Sequence, residues 1–339
     1  MKKTISTSLR FFISLALLFV LFRKIDFRGT FKVIAHLNLY YFMLAMVIFF
    51  ILTIMVFFRW KMLLDAHKVD VPLIRALNSF SGGLFLNLFM PSTIGGDLSR
   101  SIDLGAHTKR YGVIAATVLL DRLSGFAGLV TVAIVSLIFG HRLIDDFSVY
   151  ATVALLACIL TGVFLILFNQ GIYNRLNRSI SNPSTSLGIS PEQSRRAKRG
   201  KFLENFKKLH SEIYFFRQHR GVLCANFIYS IIIQTGASVF SYFILRSLNT
   251  RINLLYPLVF NPVITVITTI PISISGLGLR DASSIFFYSK AGVAKDIALA
   301  QSLLNFAVIV TLGLIGGILY VSTLHYRRLQ PNQTDARAE

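Results

Sequence analysis

Acidic residues are scarce in this chain: 15 Asp and Glu stand against 35 Lys and Arg in 339 residues, and charged residues of both signs reach only 15%. Soluble domains carry about a quarter, so a water-facing surface of ordinary polarity is excluded. Cysteine is nearly absent. Cys158 and Cys224 both lie inside apolar runs and form no metal-type pair, so they read as small apolar fillers. The seven histidines read as loop residues without a His-x3-His pair, so a metal site has no support. No G-x-S-x-G elbow occurs, and Gly276 and Gly278 form a G-x-G without the third glycine or a βαβ setting. Nucleotide folds and serine hydrolases are excluded, and no cofactor is called for.

Long apolar runs are what the chain has instead. Hydrophobic residues make up 54% and the mean hydropathy is +0.64. Leu37–Phe58, Val149–Phe168, Val222–Leu245 and Ile297–Val321 each approach or exceed the roughly 20 residues a helix needs to cross a bilayer core. The net charge of +20 is concentrated in Asn169–Arg220, which holds eleven Lys and Arg against three Glu. A membrane protein needs such a segment on its cytoplasmic side, so topology explains the charge better than nucleic acid does. Contact with anionic headgroups is a natural addition. Asn182–Arg199, rich in Ser and basic residues, reads as a disordered part of that loop.

The same rule places Lys2, Lys3 and the C-terminal Arg327 and Arg328 inside, and the loop with Asp145 and Asp146 outside. Arg23–His36 is a misfit, being basic yet required to face outward. The first run, Leu9–Phe22, is followed by Arg23 and Lys24 rather than a small-residue cleavage site, so it reads as a retained signal anchor. An inner (cytoplasmic) membrane location with both termini cytoplasmic is expected.

Parity leaves two stretches that must return to the side they start from, residues 73–109 and 254–292. Pro and Gly break each one, in PSTIGGDLSR and PISISGLGLRD. Broken backbone at membrane depth is tolerated where it is buried in protein or lines a cavity, so both read as re-entrant hairpins. A shift of 180 residues pairs Pro91 with Pro271, Gly96 with Gly276, Arg100 with Arg280 and Gly112 with Gly292. The expected fold is an all-α polytopic membrane protein, an inverted repeat of span, span, re-entrant hairpin and span. It has six full spans plus two broken-helix hairpins. The first repeat covers residues 9–139 and the second 149–321, with the basic loop 169–220 inside it. Such repeats place a substrate site near the midplane, at their interface.

Ionisable residues at membrane depth are costly and therefore informative. They are Asp97, Arg100, Asp121, Arg122, Arg280 and Asp281. Asp121 and Arg122 diverge by about 100° on a helix and need partners elsewhere, with a hairpin arginine preferred for Asp121. Arg100 and Arg280 offer planar forks for a phosphate, beside backbone that Gly95, Gly96, Gly276 and Gly278 leave open to an anion. An Asp97–Arg100 pair that only staples the hairpin is the plainer reading. Gly313 and Gly317 form a GxxxG step suited to helix packing.

With these residues assembled, the chain resembles the flippase-like transmembrane family named for lysylphosphatidylglycerol synthase. The resemblance rests on Asn87-Leu-Phe-Met-Pro91 with Gly95, Gly96, Asp97 and Arg100, on Asp121, Arg122 and Gly125, and on Pro271 with Gly276, Gly278 and Arg280. Asp281 stands where the family usually has Glu. The resemblance implies translocation of an anionic, aminoacylated or polyprenyl-linked lipid between leaflets. Only 18 residues follow Val321, too few for an aminoacyltransferase domain, so a transporter is expected rather than an enzyme. The expected partners are phosphate-bearing membrane lipids, no nucleic acid, and a second copy of the chain. Two readings compete with it. One is a membrane enzyme acting on a lipid-linked sugar or polyprenyl phosphate, with Asp97 or Asp121 as base. The other is a non-catalytic membrane partner protein.

Overall fold

A computed structural model describes residues 27–90, 95–141, 147–168, 212–216, 218–269 and 278–329. The expected span 9–22, the hairpin residues Pro91, Pro271 and Gly276, and the basic stretch 169–211 lie outside the described residues. The described chain is helical. In chain order the helices are α1 (Phe27–Ala35), α2 (Leu39–Ala66), α3 (Leu73–Asn87), α4 (Gly95–Thr108) and α5 (Tyr111–Gly140). They continue as α6 (Phe147–Phe168), α7 (Arg220–Ser247), α8 (Leu255–Thr269), α9 (Leu279–Lys290) and α10 (Lys295–Leu329). Among the described residues five helices are long and apolar enough to cross a bilayer: α2, α5, α6, α7 and α10.

The broken stretches are pairs of short helices. α3 and α8 have 15 residues each, α4 has 14 and α9 has 12. At 1.5 Å per residue the longest of these is about 22 Å, short of the roughly 30 Å hydrocarbon core. Within each pair the two helices pack on one another.

The middle of the bundle is α2 against α7. They run antiparallel: Asn38 N–H donates to the Ser247 carbonyl at 2.6 Å, while at the other end Asn226 Nδ2 donates to the Arg59 carbonyl at 3.0 Å. Between these ends Phe49 meets Phe240 at 4.9 Å between ring centroids, and Gly236 makes room for Leu52. On α2, Ala45, Leu52 and Arg59 are buried and Met43, Val47, Phe50 and Ile54 are exposed, two opposite stripes at helical spacing. The outer stripe suits lipid.

The remaining helices dock crosswise. α3 lies on α10 and α8 lies on α5, while α4 packs on α5 and α9 on α10. α2 also touches α5, and α7 also touches α10. Exchanging α2–α5 for α7–α10 therefore reproduces most of the helix packing.

Several expectations shift in detail. α2 continues past Phe58 through Arg59, Trp60 and Lys61, because no breaker occurs before Pro72. His107 lies in the last turn of α4 and His325 within α10, so not every histidine is in a loop. Cys158 and Cys224 are both exposed and fill no gap in this chain.

Candidate functional site

The buried charges form one connected cluster around α5. Asp121 is 2% exposed and takes two arginines: Arg59 Nε donates to Oδ1 at 2.8 Å, and Arg100 Nη2 donates to Oδ2 at 3.2 Å. Arg100 also bridges to Asp97 at 3.0 Å, one turn earlier on α4, and Asp97 pairs through its other oxygen with Arg122 Nε. Arg100 lies over the Trp60 ring at 4.7 Å, where the π face adds to its stabilisation. A lone buried charge is costly, and this alternation of Arg and Asp gives each of the five a partner of opposite sign.

Arg59 is the member sequence reading missed. It sits just beyond an apolar run, where arginine normally reaches for headgroups. Its spacing of seven from Leu52 and fourteen from Ala45 places it on the buried stripe, a phase that can be read only once that stripe is known. Its Nη1 also donates to Ser230 on α7 at 3.1 Å, and Gly125 leaves the space its guanidinium occupies.

A smaller cluster surrounds α9. Gly278 has φ 77°, a conformation glycine adopts without strain, and its N–H donates to Asp281 Oδ2 at 3.0 Å. Ser302 Oγ donates to Asp281 Oδ1 at 2.6 Å and accepts from Arg280 Nε at 3.0 Å. Arg280 lies over Phe306 at 4.8 Å. Asp281 is thus a cap and an anchor for its neighbours. Asn87 has the matching task in the first hairpin, its Oδ1 accepting from Gly96 N–H at 2.7 Å and so occupying a donor at the start of α4.

Between the clusters is a cavity of about 340 Å³, walled by α2, α3, α5, α7, α8, α9 and α10. Of the candidate site residues named from sequence, Asn87, Arg122 and Arg280 line it, and so does Gly313 of the GxxxG step. Asp97, Arg100, Asp121 and Asp281 do not; they hold the arginines from behind. The expected equivalence of Arg100 and Arg280 is therefore not kept at the cavity wall, which Arg122 rather than Arg100 shares with Arg280. The reason is local. Asp121 and Trp60 capture Arg100, whereas the positions 180 residues beyond Asp121 and Arg122 are Gln301 and Ser302, which leave Arg280 free to reach inward. The rest of the wall is polar uncharged or apolar, including Thr53, Asn261, Gln301, Asn305, Phe240 and Ile264. No Asp or Glu lines it among the described residues. Such a wall suits a ligand with an anionic group and an apolar continuation.

Among the described residues no group of His, Cys, Asp and Glu is placed to hold a metal.

Comparison with known proteins agrees with a membrane assignment. A UPF0104 membrane protein of Methanothermobacter thermautotrophicus is 26% identical over 286 residues, covering 80% of this chain and 83% of that protein. One from Pyrococcus horikoshii is 21% identical over 321 residues, covering 91% and 94%. The family model of the lysylphosphatidylglycerol synthase TM region matches residues 8–317. A match across nearly the whole chain makes it a member of the lysylphosphatidylglycerol synthase transmembrane-region family.

Proposed function

We propose that this protein moves an anionic lipid between bilayer leaflets, its phosphate held by Arg122 and Arg280 in the cavity between the two halves. The observation that carries the reading is the wall itself: one arginine from α5 and one from α9 on a cavity without a lining carboxylate among the described residues. Guanidinium forks match phosphate oxygens, and a dry wall strengthens the attraction. A cavity of about 340 Å³ holds a headgroup rather than a whole lipid, so the chains remain in the bilayer.

The architecture supports alternating exposure of that site. The antiparallel α2 and α7 and the exchanged docking of α3 and α8 are what an inverted repeat produces. Rocking one half against the other about α2 and α7 would open the cavity to each leaflet in turn. An enzyme of lipid-linked phosphates would need a base at the wall, and the three carboxylates are occupied behind it.

The test is translocation of a fluorescent anionic phospholipid in proteoliposomes by wild type, Arg122→Gln and Arg280→Gln. Each substitution is expected to slow transport at least tenfold, about the worth of one charge-assisted hydrogen bond. Wild-type rates in both monodisperse variants would remove the arginines from the site.

A further inference from the structure

One side of the cavity wall carries an unmet demand that no phosphate satisfies. Gln301 on α10 is 1% exposed. Its Nε2 donates to Ser241 Oγ at 2.8 Å, and Ser241 is in turn 3.0 Å from the Tyr288 hydroxyl. These hydrogen bonds fix the amide and leave its Oε1 buried without a donor among the described residues. Asn305 is four residues on, on the same face, and its Oδ1 is likewise buried with no donor among the described residues. Both residues line the cavity, as does Arg280. Leaving a buried carbonyl unpaired costs free energy, and two of them one turn apart on a cavity wall point to a ligand that supplies the protons.

We infer that Gln301 and Asn305 form a headgroup subsite for a hydroxyl-bearing, uncharged group on a phosphodiester lipid, the hydroxyls donating to the two amide oxygens while Arg122 and Arg280 hold the phosphate. This deepens the proposed function and rests on it for the role of the arginines. An ammonium headgroup could also donate, but it would share the cavity with two guanidinium groups and meet no lining carboxylate among the described residues. A bare phosphomonoester would leave both oxygens unpaired. The shared chemistry is a polyol or sugar phosphate, whether a glycerol headgroup or a hexose on a polyprenyl phosphate. Specificity of this kind is strong because the penalty falls on the wrong ligand.

The experiment measures binding and transport separately in the full-length protein. Four lipids are compared: phosphatidylglycerol, a polyprenyl phosphohexose, phosphatidylethanolamine and phosphatidylmethanol, the last an anionic phosphodiester with no donor. Wild type is expected to bind one of the two hydroxyl-bearing lipids at least tenfold more tightly than phosphatidylmethanol or phosphatidylethanolamine. Which of the two is preferred distinguishes glycerol from sugar. Gln301→Met and, independently, Asn305→Leu should erase that preference while phosphatidylmethanol binding stays at the wild-type level, which also reports an intact fold. Equal wild-type affinity for all four lipids overturns the inference, as does a preference that survives both substitutions. So does loss of phosphatidylmethanol binding along with the hydroxyl-bearing lipid in a monodisperse variant. Preferential binding without transport would refute translocation and leave the subsite standing; transport without headgroup preference would do the reverse.

Discussion

Asp121 is the residue on which the buried charges turn, because it contacts two arginines from different helices. Replacing it with Asn preserves shape but leaves Arg59 and Arg100 facing each other without an anion between them. The expected cost is about 3–5 kcal/mol, that of breaking a buried pair. Arg59→Met with Asp121→Leu removes charge of both signs and should recover part of that loss; thermal unfolding of the single and double variants in detergent measures the coupling. Failure of the double variant to regain stability would mean that Asp121 matters mainly to Arg100. His67, just past the end of α2, is a second residue with a measurable signature. It is buried against the rings of Phe215 and Phe216, each 4.5 Å away, with Glu212 at 3.4 Å. Burial holds its pKa below the ordinary 6.5, and the nearby Glu212 offsets this in part. Protons therefore bind the unfolded state more readily. The stability His67 contributes is present above pH 6.5 and is lost as pH falls through the lower folded value. Melting temperature should drop over that window in wild type and drop less in His67→Phe.

At the scale of elements, the hairpins depend on how closely their helices approach. A Cβ on Gly96 would sit 2.0 Å from the Gly83 carbonyl oxygen and 2.6 Å from Asn87 Cγ. Gly96→Ala must therefore push α4 away from α3, costing about 1–3 kcal/mol and displacing Asn87 from the start of α4. Gly112→Ala, which meets nothing within 4 Å, should be neutral or slightly stabilising in the same melting experiment. A comparable loss at both positions would point to lipid contact instead of close packing, since helix propensity favours alanine at both. The breaks in residues 73–109 and 254–292 were legible in the sequence, because Pro and Gly disfavour one continuous helix there, and each stretch holds two short helices. The spans were legible from length alone. Which face of each span turns inward was not: α2 is apolar nearly all round, so nothing in its composition separates the lipid side from the side that carries Arg59. Apart from Arg59, the buried arginines and aspartates stood out by their cost, but their division into lining and supporting roles did not. That division depends on Trp60, Ser230 and Ser302, residues whose contacts arise only once four helices meet.

For the whole molecule, the proposed alternating exposure makes use of the exchanged helix packing about α2 and α7. If the two halves trade conformations as the cavity changes sides, the ion pairs of α4 and α5 and the Arg280–Asp281–Ser302 contacts of α9 and α10 stabilise opposite states. Weakening one set should then favour one leaflet, and weakening the other set the opposite leaflet. Thr53 lines the cavity from α2 and supplies a reporter position. In a chain carrying Thr53→Cys, with the exposed Cys158 and Cys224 replaced by Ala, a membrane-impermeant maleimide applied to oriented vesicles reads accessibility from each side. Asp97→Asn, which loosens Arg122, and Asp281→Asn, which loosens Arg280 and Ser302, should shift labelling in opposite directions, by about fivefold for each kcal/mol of bias. Asp97→Asn is chosen over Asp121→Asn so that Arg59 and Arg100 keep their shared anion and the fold is less disturbed. Shifts in the same direction would mean that both pairs merely hold one closed state together. The exchanged packing would then take no part in transport.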